Sequence, residues 1–150
     1  MSQPDKATIY IAAALIVDRA GRVLLVRKRG TQAFMQAGGK IELHESPAEA
    51  LMRELDEELG LRLAPQAPEY LGAFVAQAAN EENCTVTAEV FYIWADIVVT
   101  PAREIEEIAW ISPSDVRLPL APLTRDHLLP IAREKIAAAG APDRVRRGLD

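Results

Sequence analysis

The stretch GGKIELHESPAEALMRELDEELGL, residues 38–61, holds one amphipathic helix between two loops. Ser46, Pro47 and Glu49 predict its start: a serine cap, a proline at the first helical position and a glutamate that reaches back to the cap amide. Gly60 predicts its end, because glycine takes the left-handed conformation that closes a helix. At about 100° per residue, Ala48, Leu51, Met52, Leu55 and Leu59 gather on one side, and Glu54, Glu57 and Glu58 fill an adjoining arc. The apolar side is expected to dock on a sheet. The acidic arc is a physical problem, since like charges three or four residues apart repel by about 0.2–0.5 kcal/mol per pair. Taken alone, the three glutamates read as a solvated helix face.

Their neighbours point elsewhere. Gly38 and Gly39 allow unusual backbone angles and close approach to a ligand just upstream. Arg53 offers a planar, two-pronged partner that holds a carboxylate in one orientation. Carboxylates with backbone carbonyls are what magnesium prefers, and that ion also binds substrate phosphates.

Written as G-x5-E-x7-R-E-U-x-E-E-x-G-U, with U a bulky aliphatic residue, the pattern is met by Gly39, Glu45, Arg53, Glu54, Leu55, Glu57, Glu58, Gly60 and Leu61. A chance match in a chain of this length is on the order of one in ten million or rarer. In this box, residues 39–61, the chain resembles the Nudix (MutT-like) hydrolases. The resemblance implies an α/β fold, an α/β/α sandwich with a mixed β-sheet and the Nudix loop-helix-loop. It also implies a pyrophosphohydrolase that uses magnesium (Mg2+), with manganese (Mn2+) as a substitute, to cleave a nucleoside diphosphate linked to another moiety. Carried over, Glu54, Glu57, Glu58 and the carbonyl of Gly38 are the metal ligands, and Arg53 orients the glutamates. Gly39 permits the loop geometry, and Glu45 supports the ion cluster or the loop itself. Glu57 is the favoured proton acceptor, with Glu58 next. An additional acid is expected from "REIEEIAW", where Glu107 ranks ahead of Glu104. Ala37 departs from the proline common in relatives. The accessory patterns that mark ADP-ribose, dinucleoside polyphosphate and NADH enzymes are missing, so the substrate within the class stays open.

Around the box, "ATIYIAAALIV" and "VLLVRKR" read as a hairpin across "DRAGR", and "FMQ" as a short third strand before the glycines. "EYLGAFVAQA" and the start of "CTVTAEVFYIWADIVV" predict an antiparallel pair, "EIEEIAWIS" another strand, and "SPSDV" a helical turn. Leu128, Ile131, Ala132, Lys135 and Ile136 predict a last helix ending at Gly140. This gives a single domain over residues 1–140 and a polar tail over 141–150. Arg27 and Arg29 share a strand face and are candidates to meet substrate phosphate, with Lys28 on the other face. Phe34 is the candidate to stack on a base. His44 is expected to face solvent and His127 to lie on the surface of the last helix.

Composition bounds the partners. The chain has 150 residues and 49% apolar content, enough for one sizeable core. A net charge of −5 argues against binding duplex nucleic acid or an anionic membrane and leaves a small nucleotide as the expected partner. The lone Cys84 and two histidines speak against a disulfide or a zinc site. The apolar run at Ile9 to Val17 is too short to span a bilayer and "MSQPDK" lacks a basic leader, so the expected location is cytoplasmic. A homodimer is a further expectation. The alternative function is a non-catalytic nucleotide-binding Nudix regulator, which has no need to retain every carboxylate of the set. Isoprenoid diphosphate isomerase chemistry needs a cysteine arrangement that Cys84 alone does not supply.

Overall fold

The computed structural model describes the backbone of residues 7–149 and the side chains of residues 7–139. Strands β1 (Ala7–Val17), β2 (Val23–Lys28) and β3 (Ala37–Lys40) precede helix α1 (Pro47–Leu59). Strands β4 (Glu69–Gln77), β5 (Cys84–Trp94) and β6 (Ile105–Ile111) follow, then a π-helical turn (Thr124–Leu128) that runs into α2 (Leu129–Leu149). The sheet has the order β4-β5-β1-β2-β6, with β3 also paired to β1. Among the described strands only β1 and β5 run parallel; the other pairs are antiparallel, so the sheet is mixed as expected.

Alternation along β1 explains the layers, because successive side chains point to opposite faces of a strand. Ala12, Ala14 and Ile16 join Leu51, Leu55 and Leu59 of α1 in one core. Leu15 and Val17 join Leu128, Leu129 and Ala132 in the other. Two buried faces require two helical layers, and the result is the α/β/α sandwich.

Several elements differ from the sequence expectation, among them β5, which stops at Trp94 without continuing through ADIVV. The third strand is not "FMQ" but the stretch holding the glycine pair: Gly38 lies opposite Ala13 and Gly39 opposite Ala12. Phe34 and Met35 form only isolated bridges to Leu120 and Val26. "SPSDV" forms a turn without a helix, and α2 continues through Gly140 to Leu149. Among the described residues no helix is long and apolar enough to cross a membrane.

Candidate active site

Helix α1 starts and stops where the sequence predicts. Ser46 and Glu49 form the reciprocal capping box, and Gly60 sits at φ 63° as the left-handed cap. The docked face differs in detail: Ala50 is buried and Ala48 is exposed, so the inward side is Ala50, Leu51, Leu55 and Leu59. Glu58 lies on that side too. It is only 2% exposed, a carboxylate inside an apolar layer.

The glycine pair explains how the sheet tolerates this. Gly38 N–H donates to Glu58 Oε1 at 3.0 Å, while Glu58 Oε2 is buried without a partner. Burial raises the Glu58 pKa to about 7 against the pull of the Gly38 N–H and the Lys28 charge; Glu54 and Glu104 push it further up. A Cβ on Gly39 would lie 2.4 Å from Glu54 Cδ, so the Glu54 carboxylate rests directly over that residue. At Gly38, φ is 150° and a Cβ would meet the Ala12 carbonyl oxygen at 2.1 Å.

These contacts separate the two glycines experimentally. Gly38→Ala is expected to lower folding stability by roughly 3 kcal/mol, because rigid strand backbone has to move. Gly39→Ala meets only a side chain and shifts Glu54; it is expected to weaken divalent-cation affinity at least tenfold, at a smaller loss of stability. Denaturant unfolding and calorimetric titration with manganese measure the two effects.

Arg53 organises the remaining acids. Its Nε and one terminal nitrogen reach the two Glu45 carboxylate oxygens at 2.7 and 2.9 Å. Its other terminal nitrogen meets Glu54 Oε1 at 2.7 Å and Glu57 Oε2 at 3.5 Å. Glu45 also accepts the Glu42 N–H at 2.9 Å, which ties down the loop entering α1, and the Arg53 guanidinium holds the Glu45 pKa at about 2. Arg53 thus offsets part of the charge of the acidic arc, at Glu54 and Glu57. Among the described residues no three acidic, histidine or cysteine side chains already converge as a cage for an ion. Arg53 draws Glu54 and Glu57 while Glu58 turns inward to Gly38. The chemistry of the donor set still fits a hard cation: an orphaned buried oxygen of Glu58 lies beside the neighbouring carboxylates of Glu54 and Glu57, an oxygen-rich set of donors.

A cavity of about 360 Å³ opens beside this cluster, lined in part by Lys28, Arg29, Gly38, Gly39, Gln36, Thr124 and Glu104. Several sequence candidates sit elsewhere. Phe34 is 4% exposed within the α2-side core, so it has no free face for stacking on a base. Arg27 is outside the cavity lining and binds Glu107 at 3.0 Å and the Thr31 carbonyl at 2.8 Å. Of the two additional-acid candidates, Glu104 lines the cavity and Glu107, paired with Arg27, is outside its lining. Arg29 reaches the rim but pairs with Glu106 at 2.9 Å. Lys28, which the sequence sets on the opposite face from the arginines, is a strand cation of the cavity, with Lys40 of β3, and pairs with Glu104 at 3.3 Å. A register irregularity in β2 between Arg27 and Lys28 accompanies this change. His44 is exposed as expected, whereas His127 is half-buried with its ring 5.8 Å from Phe74.

Gln36 and Thr124 carried no sequence signal, because 88 residues separate them. The polar groups of the loop after β5 are satisfied against α1: Thr100 N–H donates to the Leu59 carbonyl at 3.0 Å and Ala102 N–H to that of Glu58 at 2.8 Å. Those bonds anchor the segment that carries Glu104.

A family model described as NUDIX domain matches residues 8–131. The CTP pyrophosphohydrolase of Escherichia coli (strain K12) is 34% identical over 119 residues, which cover 73% of this chain and 81% of that protein. An 8-oxo-dGTP diphosphatase of Haemophilus influenzae is 39% identical over 61 residues, 38% of this chain and 45% of that protein. The crystal structure of a MutT protein from Methanosarcina mazei Go1 has the same fold, with a TM-score of 0.70 at 22% identity, covering 89% of this chain and 98% of that one.

Proposed function

The chain belongs to the NUDIX family, as a hydrolase acting on phosphoanhydride bonds, and from that premise we propose that it is a magnesium-dependent pyrophosphohydrolase of small nucleotides. Its substrate is a nucleoside triphosphate or a related compound in which a nucleoside diphosphate is linked to another group. The observation that carries this is Glu58, buried with one oxygen bonded to Gly38 and the other unpaired. A fold that only displayed an acidic surface would leave this side chain in water.

Glu54, Glu57, Glu58 and the Gly38 carbonyl would hold magnesium (or manganese). When bound, the ion supplies positive charge against the diphosphate oxygens and acidity for the attacking water. The chain's own groups do the rest. Arg53 keeps Glu54 and Glu45 in place while Glu57, half-exposed and loosely held, turns toward the reacting water and takes its proton. The water oxygen bonds to phosphorus in line as the bridging P–O bond breaks, and the bridging oxygen leaves with the second phosphate. Lys28 Nζ, released from Glu104, faces the phosphate oxygens.

Two relatives support the substrate class: one is named for CTP and the other for 8-oxo-dGTP, both triphosphates. The test is a panel of nucleoside triphosphates, nucleotide sugars and dinucleotides incubated with and without magnesium. The expected result is metal-dependent release of phosphate or pyrophosphate from at least one compound. Tight nucleotide binding without turnover of any of them would instead make the protein a regulator.

A further inference from the structure

We propose that Gln36 and Thr124 form a base-reading pair, in which the Gln36 amide nitrogen donates to an acceptor on the ring edge of a nucleobase held in the cavity. The inference rests on the nucleotide function above and adds the chemistry that selects the base. Three observations carry it.

First, Gln36 is 6% exposed and Thr124 fully buried, yet both line the cavity that also holds Lys28, Gly38 and Gly39. Second, Thr124 Oγ1 donates to Gln36 Oε1 at 2.7 Å, and Gln36 Nε2 has no partner. With the hydroxyl donating to Oε1, the donor end of the amide is left without a partner among the described residues. A buried amide donor without an acceptor is rare in folded proteins and is expected where a ligand completes it. Third, the backbone around Gln36 is clamped. Met35 exchanges two bonds with Val26 at 2.8 Å each, and Phe34 is bonded to Pro119 and Ala121 at 2.8 and 2.9 Å. The side chain therefore has a fixed origin.

Ile11, Val86, Ala121 and Leu123 supply apolar walls in the same cavity, suited to a flat heterocycle. Thr124 opens the π-helical turn, a distortion that recurs at functional sites. An amide N–H requires a ring nitrogen or carbonyl oxygen opposite it. A base presenting only donors or apolar edge there leaves both partners unpaired, and sites built on such bonds discriminate strongly.

The experiment uses the full chain with magnesium and measures kcat/KM for CTP, UTP, ATP, GTP and ribose 5-triphosphate, which has no base. In parallel, calorimetry follows binding of the four nucleoside monophosphates to metal-free protein. Gln36→Leu is expected to lower kcat/KM for the preferred nucleotide by about 10²-fold, mostly through KM. The effect on ribose 5-triphosphate should be at least tenfold smaller. Thr124→Val removes the hydrogen bond that holds Gln36 Oε1 and loosens the amide, so the ratio between best and worst base should shrink about fivefold or more while Gln36 is still present. Equal losses for all five compounds, or unchanged base ratios in both variants, would overturn the pair's role. If the wild type hydrolyses nothing yet binds monophosphates with a base preference that Gln36→Leu abolishes, the hydrolase function fails and the base-reading pair stands.

Discussion

Glu57→Gln is expected to lower kcat by about 10³-fold while leaving folding stability nearly unchanged. The two halves of this result come from the position of one side chain. Glu57 is about 40% exposed and its nearest cation, Arg53, stands at 3.5 Å, so little of the fold depends on its charge. The substitution keeps the shape and removes the negative charge, which abolishes proton acceptance and weakens a cation ligand together. Those two losses fall on the chemical step, hence on kcat more than KM. A pre-steady-state burst assay with the preferred nucleotide, alongside thermal unfolding, measures both halves. Turnover within a few-fold of wild type would move proton acceptance to another acid, with Glu104 at the cavity wall next in order.

The second large effect concerns Glu58 and pH. Burial raises its pKa from 4.5 to about 7. Below pH 4.5 the group is neutral in both folded and unfolded chains, and its contribution to stability is intact. As pH rises toward 7 the unfolded chain ionises first, so folding stability of the metal-free protein falls. At 1.36 kcal/mol per pKa unit the loss is about 3 kcal/mol, complete once pH passes the folded value near 7. For a domain of this size that corresponds to about 6–12 °C in Tm. Magnesium binds the ionised form, so it is expected to restore stability above pH 7 and to release protons on binding near neutrality. Glu58→Gln should flatten the pH dependence and match or exceed wild-type stability at pH 8 without metal, while losing activity. Denaturant unfolding from pH 4.5 to 8, with and without magnesium, tests the sign as well as the size. Stability that rose over this range would mean the carboxylate is solvated.

What the sequence made legible follows from how locally each feature is encoded. The capping box, the left-handed Gly60 and the spacing of Leu51, Leu55 and Leu59 lie within fifteen residues, so α1 could be placed without tertiary information. β1 and β2 were readable from β-branched runs around a turn cluster. The glycine strand was not, because glycine has low strand propensity and Gly38–Gly39 pairs with β1 only to bring Glu54 and Glu58 close to the backbone. Phe34 misled because aromatic character marks core and binding surface alike. Lys28 lost to its arginine neighbours because a register irregularity in β2 is invisible in the pattern. Gln36 with Thr124 is a contact between distant segments, for which a single chain carries no periodic signal. The inward turn of Glu58, too, depends on β3 standing behind α1.

The central claim is that the acidic arc of α1 exists to hold a divalent cation at a phosphoanhydride. Anomalous scattering from crystals grown with manganese and a non-hydrolysable nucleoside triphosphate tests it most directly. The expected result is a manganese peak in contact with Glu54, Glu57 and Glu58, with the second oxygen of Glu58 engaged. Bound nucleotide with no manganese at those three side chains, and Arg53 still holding Glu54 and Glu57 as it does without metal, would contradict it.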